Sequence, residues 1–348
     1  MTKVMQTRQV VLELANSRKA NLLEVSELAA LNGYRDIADR LLDQRVTNPN
    51  TVAASAAEGG HIDYVDYLMT HGADDLDTIA RGAARGGHFD LVKQLIAQGA
   101  DDFSGIAASA ARGGHSQIIE AMLKRGVVSS DWIAAEAARG GHRSIVEAML
   151  KRGARDLNYP AIEAAKGGHR DIVAYLVGKG AKNYDEIAVA AAEGGYTDIV
   201  DDMIGRGARD YDAIAEEAAE GGHASIVEAM IGRGARDYDA IACGAAYNGH
   251  VDIVESMIGR GARDYDSIAA QAARNGHVDI IASMIGRGAD DYDSIAAMAA
   301  EGGFLSIVND MIERGASNFE EIAEAAVGGD HDDIIEAMAD RGIVIEED

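Results

Sequence analysis

A histidine recurs at one fixed spacing, and it follows a glycine in every copy except His331, which follows Asp330. Histidine is a common metal ligand and proton carrier. The row contains His61, His88, His115, His142, His169, His223, His250, His277 and His331. One metal ion needs several ligands at about 2 Å, whereas neighbouring histidines of this row are separated by a whole repeat. Tyr196 and Phe304 replace the histidine without disturbing the pattern. We therefore interpret the row as structural and predict no metal site and no cofactor.

A row of aromatic residues in the same register has the residue type that stacks on nucleic-acid bases. It contains Tyr184, Tyr211, Tyr238, Tyr265 and Tyr292, with Phe103 and Phe319 at the equivalent positions. Aspartates flank these residues, as Asp210 and Asp212 flank Tyr211, and they would repel a polyanion. We therefore expect the aromatic side chains to pack over helix ends.

Carboxylates also recur, and paired carboxylates can act as a general acid and base. One such row contains Asp63, Asp90, Asp171, Asp198, Asp252 and Asp279. It falls in the first turn of a predicted helix, where an acid binds free amides and opposes the positive helix dipole. The sequence has no nucleophile with an adjacent base, no phosphate-binding loop and no cysteine cluster. We therefore predict that the chain is not an enzyme.

These rows follow from one repeat of 27 residues, because residues 212–235 almost match residues 239–262. In the first of these, Asp212 is the predicted N-cap of a short helix over residues 213–220, which Gly221 and Gly222 end. A second helix is predicted over residues 225–233. Both helices carry apolar residues at i, i+1, i+4 and i+5, which places them on one face. The sequence predicts an all-α fold, an α-solenoid of stacked helix-turn-helix repeats.

The period also predicts the organisation of the chain. Residues 1–20 form a half-repeat cap, because Val10, Val11 and Leu14 align with the second helix of the next repeat. Residues 21–342 contain twelve repeats in one solenoid, and residues 343–348 are a short acidic tail. The first repeat departs from the pattern, since Arg45 stands where nearly all later repeats have glycine.

One tract of the repeat resembles the second half of the ankyrin repeat. Its clearest copy contains Ala272, Ala273, Arg274, Asn275, Gly276, His277, Ile280, Ile281, Met284, Ile285, Gly288 and Ala289. The period is shorter than the ~33 residues typical of ankyrins, and the linkers are too short for a β-hairpin finger. The resemblance therefore implies shortened ankyrin-like units without fingers. Such arrays are abundant in large DNA viruses and intracellular bacteria, which suggests a giant-virus or intracellular-pathogen type.

Composition narrows the classes of partner. The net charge is −26 and the pI about 4.6, so the whole surface repels nucleic acid and anionic membranes. The sequence has no apolar run long enough to span a membrane and no signal peptide, and its single cysteine suits a reducing compartment. We expect a cytoplasmic protein, in the host cytoplasm if the chain is viral.

One window departs from the acidic character of the chain. Residues 80–170 contain thirteen Lys and Arg against nine Asp and Glu. Within it, the cations Arg85, Arg112, Arg139 and Lys166 occupy the same repeat position, just before Gly-Gly. If the repeats fold as ankyrins do, these side chains form a row on the concave face. The row is either a docking strip for an acidic segment of a protein partner or an ordinary solvated surface.

The resemblance and the variable positions of the first helix favour a non-enzymatic protein–protein interaction scaffold that binds its partner on the concave face. The alternative is a structural or assembly component, either a homo-oligomer or a virion-associated protein. Regular repeats that combine acidic and basic regions are compatible with this second function.

Overall fold

The computed structural model describes residues 3–16, 21–45, 47–127, 129–329 and 331–341. The predicted acidic tail over residues 343–348 lies outside these ranges, as do the last residue of the predicted repeats and part of the predicted cap. The described residues contain helices, turns and linkers but no β-strand, so the fold is all-α, as predicted. The chain divides into two compact units, Met1–Lys182 and Asn183–Asp348, which we call unit 1 and unit 2.

The helices of unit 1 are α1 (Lys3–Leu14), α2 (Leu22–Leu31), α3 (Arg35–Asp43), α4 (Pro49–Glu58), α5 (Ile62–Thr70), α6 (Leu76–Gly86), α7 (Phe89–Gln98), α8 (Phe103–Gly113), α9 (Ser116–Lys124), α10 (Ser130–Arg139), α11 (Arg143–Arg152), α12 (Asn158–Lys166) and α13 (Arg170–Lys179).

The helices of unit 2 are α14 (Tyr184–Glu193), α15 (Thr197–Arg206), α16 (Tyr211–Glu220), α17 (Ala224–Arg233), α18 (Tyr238–Tyr247), α19 (Val251–Arg260), α20 (Tyr265–Arg274), α21 (Val278–Arg287), α22 (Tyr292–Glu301), α23 (Leu305–Arg314), α24 (Phe319–Gly328) and α25 (Asp332–Ala339). In both units the even-numbered helices are the first helices of the repeats, and the odd-numbered helices from α3 onward are the second.

Small side chains let the first helices of neighbouring repeats approach closely within each unit. In unit 1, α4 packs on α6, and a Cβ on Gly82 of α6 would collide with the carbonyl oxygen of Ala54. The first helices bury isoleucine and alanine, as α16 does with Ile214, Ala215, Ala218 and Ala219, while the second helices bury isoleucine, valine and methionine. Each repeat therefore adds a thin apolar layer to the core of its own unit.

The first helices begin earlier than predicted. Helix α16 starts at Tyr211, and its N-cap is Asp210, whose carboxylate accepts from the amide of Ala213 at 3.3 Å. The prediction that Asp212 is the N-cap was wrong. Asp212 lies inside the first turn, and its Oδ1 instead accepts from the linker amides of Arg236 and Asp237 at 2.6 and 2.8 Å.

This contact ties most of the linkers to the preceding first helix. The short linkers have no β-hairpin to bind their amides, so a carboxylate of the previous repeat accepts from two consecutive amides. The acceptors of this type are Asp77, Asp131, Asp185, Asp212, Asp239, Asp266 and Asp293, and Asn50 serves in the same way. The aspartates beside the aromatic row therefore have a structural role.

The N-terminal repeats depart from this regularity. In α1, Val11 is buried, whereas Val10 and Leu14 are exposed. Arg45, which replaces the usual glycine, adopts a positive φ of 58° at the end of the second helix of the first repeat. A side chain with a Cβ is strained in this conformation. These departures lie in the first repeats, far in sequence from the basic window.

Candidate functional site

The histidine row joins nine of the repeats to the preceding repeat. The ring Nε2 of His142 lies 3.0 Å from the carbonyl oxygen of Arg112, and His250 lies 3.0 Å from that of Glu220. Because a carbonyl oxygen only accepts, Nε2 must carry the proton that is donated. The same contact is made by His61, His88, His115, His169, His223, His277 and His331. The row binds the last carbonyls of the first helices, which have no partner within the helix.

The glycines beside the histidines have a second function in addition to ending helices. Gly222 has a φ of +75°, and a Cβ on it would lie 2.5 Å from Cε1 of His250 in the next repeat. A Cβ on Gly221 would collide with the carbonyl oxygen of Glu193 in the preceding repeat. The Gly-Gly-His sequence is therefore a packing contact between repeats. Among the described residues, no group of three or more histidine, cysteine, aspartate or glutamate side chains could hold a metal ion.

The aromatic row lies at the start of the first helices. Tyr184, Tyr211, Tyr238, Tyr265 and Tyr292 are each the first residue of a helix and are half-buried, as are Phe103 and Phe319. Their rings are thus part of the packing between helix and linker. The aspartates of the second helices, such as Asp63 and Asp252, lie in the first turn. There they oppose the positive end of the helix dipole.

The four predicted cations lie at equivalent points of unit 1, in the last turns of α6, α8, α10 and α12. We call Arg85, Arg112, Arg139 and Lys166 the basic strip. They lie on the helix-one face, the surface formed by the unburied sides of the even-numbered helices. The end of a helix carries a partial negative charge, which favours cations in this turn. The four cations are therefore at electrostatically favourable positions in their helices.

Three of the four cations have a carboxylate partner. Arg85 lies 3.4 Å from Glu58, while Arg139 and Lys166 both lie 3.3 Å from Glu163. Glu163 is only 3% exposed, which is unusual for a glutamate. The two cations compensate a carboxylate that is almost removed from water, so they stabilise α12 as well as contributing positive charge. In the sequence the four cations are equivalent by position, and their spacing does not reveal that Glu163 pairs with two of them.

Arg112 differs from the other three cations. Its side chain forms no ion pair and no hydrogen bond with any of the described residues. Burial, and then the charges of Arg139 and Arg85, lower the pKa of Arg112, which the carboxylates of Glu136 and Glu163 oppose. Since a guanidinium stays charged under all ordinary conditions, the lowered pKa means that this charge is poorly stabilised. An anion at this point would offset the repulsion from the neighbouring cations, and it would give Arg112 an ionic partner.

A groove of about 340 Å³ adjoins the start of the basic strip on the helix-one face. Thr51 and Ser55 of α4, Arg81 and Arg85 of α6, and Ser109 of α8 line it. Arg81 approaches Asp102 at 3.3 Å and donates to the hydroxyl of Thr78 at 2.7 Å. Gly82 also lines the groove, at the point where α4 and α6 approach each other closely. Hydroxyl groups and guanidinium groups line this part of the surface together with the carboxylates of Glu27 and Glu58.

The helix-one face of unit 2 has the opposite charge. Burial raises the pKa of Glu216, and the carboxylates of Asp237, Glu220 and Asp210 add to the effect. Burial, and then Glu193, likewise raise the pKa of Glu220. No cation forms an ion pair with Glu193, Glu216 or Glu220 among the described residues. We call these three residues the acidic cluster.

Comparison with known proteins finds a family match over part of the chain. Residues 27–106 match a family model described as ankyrin repeats in three copies. No curated protein matches the chain. The matched stretch contains the residues that line the groove except Ser109, and it contains the first cation of the basic strip, Arg85. None of the helices that the structure describes is long and apolar enough to cross a membrane.

Proposed function

We propose that this chain, which is an ankyrin-repeat protein, binds a protein partner through the basic strip on the helix-one face of unit 1. Ankyrin repeats generally mediate protein–protein interaction, and the family match covers residues 27–106. In this proposal residues 21–342 supply twelve repeats, and the partner contributes an acidic segment. The proposal includes no catalytic step, no cofactor and no metal ion.

The observation that carries the proposal is Arg112. It is a partly buried guanidinium between two others, and it has no carboxylate partner among the described residues. An unpaired charge of this kind lowers the stability of the free protein. It raises the affinity for a partner whose anion reaches it, because charge-assisted hydrogen bonds are about twice as strong as neutral ones. Carboxylates at the rim, near Arg85 and Lys166, would mainly raise the association rate.

The spacing of the strip suits a peptide. First helices that pack directly are about 8–10 Å apart, and an extended chain advances about 3.3 Å per residue. Acidic residues at every third position of an extended segment would therefore meet successive cations. A nucleic acid would also present anions at regular intervals, but the net charge of −26 opposes its approach.

The single cysteine gives no support for an enzymatic alternative. Burial, and then the carboxylates of Asp264 and Asp239, raise the pKa of Cys243 to about 12. The thiolate is the reactive form, so this side chain stays a poor nucleophile at neutral pH. A thiol kept in this state suits a reducing compartment, and we propose a cytoplasmic location.

A second candidate function is assembly of the chain with itself. It is supported by opposite charges at the same repeat position, since Arg112 in unit 1 corresponds to Glu220 in unit 2. The basic strip of one copy would meet the acidic cluster of another. Light scattering over a range of protein and salt concentrations tests this function. Mass that rises with protein concentration and falls with added salt supports assembly, and a monomer under all conditions excludes it.

The test of the main proposal is capture of a partner from cell lysate by the immobilised protein. The informative variant is Arg112→Glu, because reversing Arg139 and Lys166 would also leave Glu163 without a cation. The matched control is Lys124→Glu, which makes the same change of charge in the last turn of α9, in the same repeat. Circular dichroism would establish that both variants are folded.

We expect wild type and Lys124→Glu to capture the same protein and Arg112→Glu to lose most of it. A partner kept equally by all three would show that the basic strip is not the site. A partner lost by both variants would indicate that only the overall charge matters. Added salt should weaken capture by the wild type, because the strip is in contact with solvent.

A further inference from the structure

Two large aromatic side chains stand exposed on the helix-one face beside the basic strip. Trp132 of α10 is 38% exposed and Tyr159 of α12 is 46% exposed. They occupy the same position in successive repeats, 27 residues apart. They differ from the half-buried tyrosines that begin the first helices of unit 2, because the repeat pattern does not require them. The equivalent residues elsewhere are small or polar: Glu24, Thr51, Thr78, Gly105, Glu186, Ala213, Ala240, Ser267, Ser294 and Glu321.

The neighbouring helix presents only small side chains toward the indole. Gly105 of α8 holds the equivalent position one repeat before Trp132, and the next partly exposed residue on this face of α8 is Ser109. The space beside Gly105 is taken by Asp102 and Arg81, because a Cβ on this glycine would collide with both side chains. Helix α8 therefore has no large apolar side chain next to Trp132.

The aromatic residues lie at a fixed distance from the cations. Trp132 precedes Arg139 by seven residues on one helix, and Tyr159 precedes Lys166 by the same number. At 1.5 Å per residue this separation is about 10 Å along the helix axis, and seven residues bring both side chains to nearly the same face. The basic strip and the aromatic pair thus form two parallel rows across α10 and α12.

We infer that the partner segment carries a large apolar side chain that packs against Trp132 and Tyr159 while its carboxylates reach Arg112 and the cations beside it. This inference rests on the proposed function, and it adds the apolar anchor to the acidic segment. Tryptophan, tyrosine and arginine are the residue types that contribute most to protein interfaces. The charge of the strip selects an acidic segment, and the aromatic pair selects an apolar residue within it.

The geometry also sets the spacing within the segment. A distance of about 10 Å corresponds to three residues of an extended chain. A stretch of the segment that runs along α10 would therefore place its apolar residue about three positions from the carboxylate that meets Arg139. An apolar residue adjacent in sequence to that carboxylate would not reach the indole at the same time.

The experiment uses two short synthetic peptides with a fluorescent label. The first contains glutamates and one leucine placed three residues from the nearest glutamate pair, with serine between them. The second has glycine in place of leucine. Fluorescence anisotropy gives the Kd of each peptide for the full chain as wild type, Trp132→Ala, Tyr159→Ala, Arg112→Glu and Lys124→Glu.

We expect the leucine peptide to bind wild type about 5- to 20-fold more tightly than the glycine peptide, as burial of one aliphatic side chain predicts. Trp132→Ala should remove this preference and leave the Kd of the glycine peptide unchanged. Arg112→Glu should weaken both peptides, and Lys124→Glu should weaken neither. Because Trp132 is the single tryptophan of the chain, its emission should shift to shorter wavelength only with the leucine peptide.

The outcomes separate the two proposals. Equal binding of both peptides, still dependent on Arg112, would overturn the apolar anchor and leave the acid-binding strip intact. A preference for leucine that persists in Trp132→Ala and Tyr159→Ala would also overturn the anchor. Failure of both peptides to bind wild type, or binding that Arg112→Glu does not weaken, would overturn the proposed strip and the anchor with it.

Discussion

Unit 1 and unit 2 share the same repeat but present opposite charges on the helix-one face. The basic strip of unit 1 and two members of the acidic cluster of unit 2, Glu193 and Glu220, occupy the same repeat position. In both units a charge of one sign is left without a partner, since Arg112 and Glu220 form no ion pair with the described residues. The repeat therefore constrains the position of this side chain but not its charge.

The contacts beneath the two surfaces are closely similar. The distance from histidine to carbonyl oxygen is 3.0 Å for His142 in unit 1 and for His250 in unit 2. The glycines that face these rings, Gly114 and Gly222, both have positive φ. These contacts between repeats are the same whether the surface side chain is basic or acidic. The charge of the surface can therefore differ between the units without changing the packing, and a partner can recognise that difference.

The largest effect is expected from reversing the two cations around Glu163. Arg139→Glu with Lys166→Glu leaves a carboxylate that is 3% exposed without a cation and adds two negative charges nearby. Breaking a buried ion pair from one side costs about 3–5 kcal/mol. Chemical denaturation should show a loss of this order in the free energy of unfolding.

The control for this prediction is the addition of Glu163→Gln to the same double variant. Removing the buried charge should restore most of the lost stability. A double variant as stable as wild type would mean that Glu163 is well solvated, and that the basic strip is not coupled to the fold of unit 1.

The next effect concerns the glycines that contact the histidines. Gly114→Ala in unit 1 and Gly222→Ala in unit 2 combine a positive φ with a Cβ 2.5 Å from a histidine ring. Strain and overpacking together predict a loss of about 2–4 kcal/mol in each case. Thermal unfolding should give similar losses for both, since the frame is the same in the two units.

The matched controls are Gly178→Ala and Gly259→Ala, because no atom lies within 4 Å of a Cβ at these helical positions. These changes should raise stability by up to about 1 kcal/mol. Opposite signs at the two classes of glycine are the expected result. A loss at Gly222 far from that at Gly114 would show that the two frames differ.

A smaller effect is expected from the histidines themselves. His142→Ala and His250→Ala each remove a hydrogen bond to a carbonyl of the preceding repeat, at a cost of about 1–2 kcal/mol. The chain suggests the control, because Phe304 takes the place of histidine and contacts Gly276. His250→Phe should therefore cost less than His250→Ala in chemical denaturation. Equal losses would mean that the ring contributes little packing.

The smallest effect should come from the acidic cluster. The pKa values of Glu216 and Glu220 are raised, so ionisation of these groups opposes folding above their folded pKa. Glu216→Gln and Glu220→Gln should each raise stability at neutral pH by about 0.5 kcal/mol or less, because both side chains remain partly in water. The gain should disappear as the pH falls below the unfolded pKa near 4.5, where the wild-type carboxylate is protonated.

Thermal unfolding between neutral pH and pH 4 measures this dependence. A gain that grows as the pH falls would contradict the repulsion between Glu193, Glu216 and Glu220. Glu228→Gln, in the second helix α17, is a suitable comparison. Its carboxylate pairs with Arg260 at 2.7 Å, so its removal should not stabilise the chain.

The fold could be predicted from the sequence because nearly every repeat carries the same pattern of residues. The period, the apolar stripes and the glycines specify two helices per repeat, and the structure agrees on the fold class. The N-cap was misassigned because Asp210 and Asp212 lie two residues apart and both precede the apolar stripe. Local sequence cannot tell which carboxylate caps its own helix and which binds the next linker.

The candidate site could be predicted only in part. The shared position of Arg85, Arg112, Arg139 and Lys166 is visible in the sequence, but their pairing is not. Glu163 pairs with two of them because α12 follows α10 in the packing, and no spacing along the chain reveals that Arg112 has no partner. A useful signal was present in Trp132 and Tyr159, which break the pattern of small or polar residues at their repeat position.

The most direct test of the central claim is amide hydrogen exchange of the wild-type protein, with and without the partner that it captures. The claim is that the basic strip of unit 1 binds the partner while the equivalent surface of unit 2 does not. We predict slower exchange in the last turns of α8, α10 and α12, and no change in α16, α18 and α20. Protection confined to unit 2, or to the second helices, would contradict the claim.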